Sequence, residues 1–136
     1  MIRNLTPHAV QIYAEAQFTN LEQINPTTWV ADGVEGEPLQ SFPSDGVARL
    51  TTSVEPQPSL FLKGEVVRTM YGQITGLPDM CDLKPGDCDY FIVSLPLQSG
   101  AKAMGHLLSE RLVCPYKVVR SRANGSLVLG AMGFTF

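Results

Sequence analysis

The stretch "LVCPYKVVRSRANGSLVLGAMGF" (112–134) decides the fold. Two apolar, β-branched runs flank Asn124-Gly125, a dipeptide suited to the positive φ that both central residues of a type I′ turn require. The spacing predicts a terminal β-hairpin. Upstream, "YFIVSL" (90–95) is almost continuously apolar and predicts a central strand. Near the N-terminus, Val10, Ile12 and Ala14 alternate with Gln11 and Tyr13, the period of a half-buried strand. Pro7 stands where a strand start tolerates a missing N–H. Val47 to Val54 alternates again until Pro56 and Pro58 stop it. Leu60 to Ile74 is β-prone, with Gly64 and Gly72 as break or bulge points.

One helix is expected, over about 99–109, in "SGAKAMGHLLSE" (99–110). Ser99 can cap it. Met104, Leu107 and Leu108 form an apolar stripe at helical spacing. Gly100 and Gly105 weaken it by about 1 kcal/mol each against alanine, so packing must hold it. Residues 15–44 are weakly patterned and rich in turn signals (Asn25-Pro26, Asp32-Gly33, Glu37-Pro38), with one short strand near Thr27–Ala31. They read as a surface excursion. "GLPDMCDLKPGDCD" (76–89) reads as a loop around a Lys-Pro-Gly-Asp turn. The expectation is one β-rich α+β domain over 1–136. Its sheet is small, barrel-like or strongly bent, and mostly antiparallel.

Ten prolines and twelve glycines in 136 residues leave little room for long helices. No run approaches the roughly 18 to 20 apolar residues of a membrane span, and no leader pattern opens the chain. These observations predict a cytoplasmic protein that does not engage a membrane. Net charge is −3. Residues 102–136 carry five basic groups and one acid, against five basic and twelve acidic groups before them. That asymmetry can attract an anion locally, or simply fold two complementary halves together. It is too sparse for sequence-specific nucleic-acid binding.

Familiar catalytic and metal motifs are missing. Cys81, Cys88 and Cys114 are odd in number, and their spacing fails zinc templates. Asp79, Asp82, Asp87 and Asp89 crowd one loop without calcium-loop spacing. Neither a metal nor a cofactor is expected. There is no nucleophile elbow, His-Glu-x-x-His or phosphate loop. The remaining constellation is polar and electropositive at strand ends: His8, Arg49, Ser94 and Arg111, with Tyr71 as an aromatic wall. An arginine inside an apolar strand must find a carboxylate or wait for an anionic ligand. His8, at the mouth of the first long strand, is expected to share one rim of the sheet with Arg49 or Arg111.

Several segments are similar to a family of small uncharacterised proteins of bacteriophages, prophages and some actinobacteria. They are "NLTPHAVQIY" (4–13), "PSDGVARL" (43–50), "VVRTMYGQITGLP" (66–78), "YFIVS" (90–94) and "ERLVCPYKVVRSRANGSLVLG" (110–130). Residues 14–42 look like an expansion of that pattern, and the 79–89 loop is particular to this chain. The resemblance implies a phage origin, hence a host-cytoplasmic location, and brings no settled activity. Three classes of function follow as expectations. The first is a binding protein that engages a host protein or an anionic, nucleotide-like small molecule. The second is a virion or assembly component, which predicts a symmetric homo-oligomer with large apolar faces and the 15–44 excursion as an assembly arm; separately, the exposed terminal strands suit a strand-paired dimer. The third is a small nucleotide hydrolase. With no nucleophile–base pair in view, the sequence favours a binder over an enzyme.

Overall fold

The structure, a computed structural model, describes residues 2–58, 63–64, 66–78 and 90–136. The loop expected at 79–89, with Cys81, Cys88 and the four aspartates, lies outside the described residues. The strands are β1 (Ile2–Asn4), β2 (Val10–Ile12), β3 (Phe18–Thr19), β4 (Glu22–Asn25), β5 (Thr28–Ala31), β6 (Gly33–Val34), β7 (Gln40–Phe42), β8 (Arg49–Gln57), β9 (Val66–Thr75), β10 (Tyr90–Ile92), β11 (Leu112–Ser121) and β12 (Val128–Thr135). The helix α1 is Leu95–Met104.

The main sheet runs β1-β10-β11-β12-β2-β7 and curls until its ends nearly meet, a barrel with an unsealed seam. Its longest ladder is the antiparallel β11–β12 hairpin, while β1–β10 and β10–β11 are parallel. Parallel neighbours need a crossover, and α1 lies in the one joining β10 to β11. Phe91, Val93, Leu97, Ala101, Leu108, Leu112 and Cys114 form the core beneath it.

The helix begins and ends earlier than the expected 99–109. Ser94, not Ser99, is the N-cap, and Pro96 follows in the first turn, where its fixed φ suits a helix start. Gly105 stops the helix in the left-handed conformation (φ 64°). The buried face is Leu97, Gln98, Gly100 and Ala101. Leu107, expected on the apolar stripe, is 80% exposed. Buried Gln98 donates to the carbonyls of Leu112 and Thr135, both at 3.0 Å, and so ties α1 to the terminal hairpin.

That hairpin forms, but not through a type I′ turn. Neither Asn124 nor Gly125 has positive φ. Instead the Asn124 side chain accepts from the N–H (3.2 Å) and hydroxyl (2.7 Å) of Ser126, so a longer loop is built on a side-chain turn.

The 15–44 excursion is more ordered than its composition suggests. β3 pairs β6, β4 pairs β5, and β5 joins the main sheet alongside β11. Tyr13, Phe18, Ala31 and Val119 give it a small core of its own. Arg122 clamps it through Asp32 and through Glu22 (3.3 Å). The basic C-terminal quarter here meets acidic partners within the fold.

β8 continues through Pro56 to Gln57, past the expected stop, and pairs with β9 as a separate two-stranded ribbon. A ribbon has open edges, where a missing N–H removes no ladder bond. Gly72 lies opposite Thr51 at the bulge expected from its sequence, with Thr51 O 3.0 Å from where a Cβ would stand.

The seam depends on one side chain. Asn4 is 1% exposed. Its Nδ2 donates to the carbonyls of His8 (2.7 Å) and Phe42 (2.9 Å). Its Oδ1 accepts from the Thr6 N–H (3.0 Å) and hydroxyl (2.6 Å). Substituting Asn4→Leu strands these groups and should cost on the order of 3 kcal/mol. His8→Ala keeps the carbonyl that matters and should stay within about 0.5 kcal/mol of the parent. Urea unfolding of both variants checks the pair. Equal losses would show that the histidine ring contributes to the seam as much as the asparagine does.

Candidate functional site

Arg49 and Ser94 come together. With Thr6, Thr52 and Pro96 they line a hollow of about 330 Å³ at the N-terminus of α1. Ser94 makes no side-chain capping bond, and the first turn of α1 carries no acidic residue. The helix end therefore adds positive potential to that of Arg49. Arg49 is exposed, so it is not the buried charge that its strand context suggested. Tyr71 adjoins this hollow: it pairs with Thr52 across the ribbon, and its ring lies 3.3 Å from the position a Cβ on Gly100 would take.

His8 and Arg111 are placed elsewhere. His8 is exposed and lines a different, larger hollow of about 510 Å³ with Val10, Leu127 and Val128. Thr6 borders both hollows. The backbone carbonyl of His8, rather than its imidazole, is engaged in the seam. Arg111 ends the short 3₁₀ turn Ser109–Arg111 ahead of β11, is half-buried, and lines neither hollow.

A third group was not anticipated from sequence. Trp29, Tyr116 and Lys117 line a hollow of about 290 Å³. The Lys117 ammonium lies 5.4 Å from the centre of the Trp29 ring and 5.6 Å from that of Tyr116. Lys117 has φ 53° in the middle of β11, a left-handed conformation that costs a non-glycine residue on the order of 1 kcal/mol. The compositional signal was the single tryptophan. The backbone strain has no sequence signature.

Among the described residues, neither imidazole hydrogen-bonds a serine, threonine or cysteine side chain. The His106 Nδ1 accepts from the Leu108 N–H at 3.1 Å. Hydrogen bonding from Asn20, then Arg122, holds the Asp32 carboxyl below the usual carboxylate range. Burial pushes the Cys114 thiol up to about 11, with Lys102 opposing weakly. Protonated and 3% exposed, Cys114 is a poor nucleophile.

A Cys81→Ser/Cys88→Ser protein isolates this thiol. At pH 8 its native reaction with Ellman's reagent should be at least about 100-fold slower than in urea, from thiolate fraction alone. Because the folded value lies above the ordinary 9.0, this group's contribution to stability is complete below pH 9. It is lost as pH rises toward 11. Equal native and unfolded reaction rates would contradict the burial.

In comparisons with known proteins, the chain matches no family model, no curated protein and no solved structure.

Proposed function

We propose that this protein is a phage-type assembly component that docks through the β8–β9 ribbon onto a second copy of itself. The carrying observation is the ribbon's amphipathic division. Cross-strand partners share a face. One face is Leu50/Ile74, Thr52/Tyr71, Val54/Thr69 and Pro56/Val67; the other is Ser53/Met70, Glu55/Arg68 and Gln57/Val66. At the root, Leu50 and Ile74 pack on the main core. Farther out, among the described residues, the same face continues uncovered: Val54 is 65% and Val67 49% exposed. Strands of nine and ten residues reach about 30 Å, and an isolated two-stranded ribbon is marginal in water. Folding of the barrel does not need this length.

The second copy supplies what the face lacks. The large hollow offers exposed Leu127 and Val128 beside Val10. Among the described residues the hollow's lining carries no lysine, arginine or carboxylate, so apolar contact rather than charge carries the docking. Ribbon into hollow is a head-to-tail contact, which builds rings or filaments rather than closed pairs. The two most distinctive motifs of the phage resemblance fall on this machinery: NLTPH at the seam and YGQITGLP at the ribbon's root. A host protein on the same face is the competing occupant.

Sedimentation velocity over a concentration series tests the reading. The parent should associate, and Val54→Asp/Val67→Asp (ribbon) and Val128→Asp (hollow) should each be monomeric with unchanged circular dichroism. Mixed together, the two variants retain one intact ribbon and one intact hollow and should form a 1:1 dimer. A parent that stays monomeric throughout, or variants that fail to complement, would overturn self-assembly.

A further inference from the structure

We propose that the Trp29–Tyr116–Lys117 hollow binds a small anion carrying a planar ring, of the nucleoside monophosphate type. No residue of the ribbon lines this hollow, so the inference stands apart from the assembly reading.

Three observations converge. First, the hollow is electrostatically one-sided. Among the described residues Lys117 lines it and no carboxylate does; Gln23, Thr27 and Thr135 supply neutral polar groups. A cation in such a setting favours an anionic ligand. Second, the lysine is held there at the expense of the strand. Tyr116 pairs with Gly133 and Val118 with Ala131, yet the in-register pair between Lys117 and Met132 is not formed. The left-handed φ of 53° at Lys117 lifts one residue from the ladder without shifting the register on either side of it; the ladder's one register shift comes later, between Val119 and Arg120. Ladder geometry alone would favour an extended residue, and strain kept at one position is a mark of functional constraint. Third, the lysine is lifted to a place between two aromatic rings. Tyr116 is 50% exposed, leaving aromatic surface available beside the charge. Aromatic faces stack flat rings, and an ammonium receives phosphate as a point charge. A ligand with both parts meets both features. A volume of about 290 Å³ suits one nucleotide and not a polymer.

Trp29 is the only tryptophan, so its emission reports on this hollow alone. Titration with AMP, excited at 295 nm, should give a saturable change in Trp29 emission. Adenosine and inorganic phosphate, each carrying half the recognition, should bind at least about tenfold more weakly. Lys117→Met should weaken AMP at least tenfold and bring it to the level of adenosine, while Lys117→Arg should restore most of the affinity. Circular dichroism confirms that each variant is folded. No saturable change with AMP up to about 5 mM would overturn the proposal. So would AMP binding that survives Lys117→Met. Phosphate that binds as well as AMP would overturn the ring requirement.

Discussion

The Asn4 carboxamide is the constraint on which the barrel depends. A carboxamide offers two N–H donors and an oxygen with two lone pairs, and this one uses them all. The two donors reach different parts of the chain: one stays in the local turn at His8, and the other crosses to Phe42 at the end of β7. The edge strands of the main sheet, β1 and β7, are thereby fastened without a regular ladder between them. Backbone bonds then follow in both directions. The Asp45 N–H donates to the Asn4 carbonyl, the Ala48 N–H to that of Leu5, and the Leu5 N–H to that of Ile92. Aspartate could not replace Asn4, because an ionised carboxylate only accepts. An apolar residue could not, because the carbonyls would remain buried without donors.

This explains why "NLTPH" misleads as sequence. An imidazole at a strand mouth suggests chemistry, yet the polar groups that matter are the asparagine side chain, the threonine hydroxyl and a histidine carbonyl. Asn4, three residues before Pro7, carries no local signal of this role, and its partner across the seam lies 38 positions away. No periodicity encodes such a distance. By contrast, the features governed by local pattern were legible. The β-rich class follows from neighbours i and i+2, and the terminal hairpin and β10 from contiguous apolar runs. The helix was legible in existence but not in extent, because the apolar run 90–95 reads as strand to its end and Ser99 as a cap, whereas the helix starts at Leu95 and sets Gly100, a weakness by propensity, at its middle. In the fold Gly100 is the point at which Leu50 and Tyr71 approach α1, and a side chain there would push the ribbon away. Of the strands in the 15–44 excursion only β5, expected near Thr27–Ala31, was legible; the others escaped for a related reason. They run two to four residues each and are held by packing around Phe18, Ala31 and Val119, and by Arg122, rather than by a local pattern.

The candidate site divides along the same line. Arg49 and Ser94 were brought together because each flanks an apolar strand that enters the same core, a relation that sequence can suggest. His8 went to the other side of Thr6, since the seam turns the chain there. Trp29 and Lys117 meet only because β5 lies beside the C-terminal half of β11 in parallel register. That pairing joins residues ninety positions apart; a strand near Thr27–Ala31 was legible, but nothing local assigns its neighbour.

Closing the sheet removes most of the reason for anything else to be unusual. With Asn4 satisfied, Gln98 tying α1 to the hairpin and the excursion clamped by Arg122, the body has no buried side-chain nitrogen or oxygen lacking a partner among the described residues. A fold so completed needs neither a long amphipathic ribbon nor a lysine in a conformation that breaks one pair of its best ladder. Both features work against stability: one exposes valines to water, and the other holds a strained φ. They also arise from different parts of the architecture, the ribbon from the chain between the seam and β10, the lysine from within β11. Stability arguments that account for the barrel therefore leave these two features over. Features that a completed fold does not need, and that cost it free energy, are where interaction with something outside the chain has the strongest physical claim.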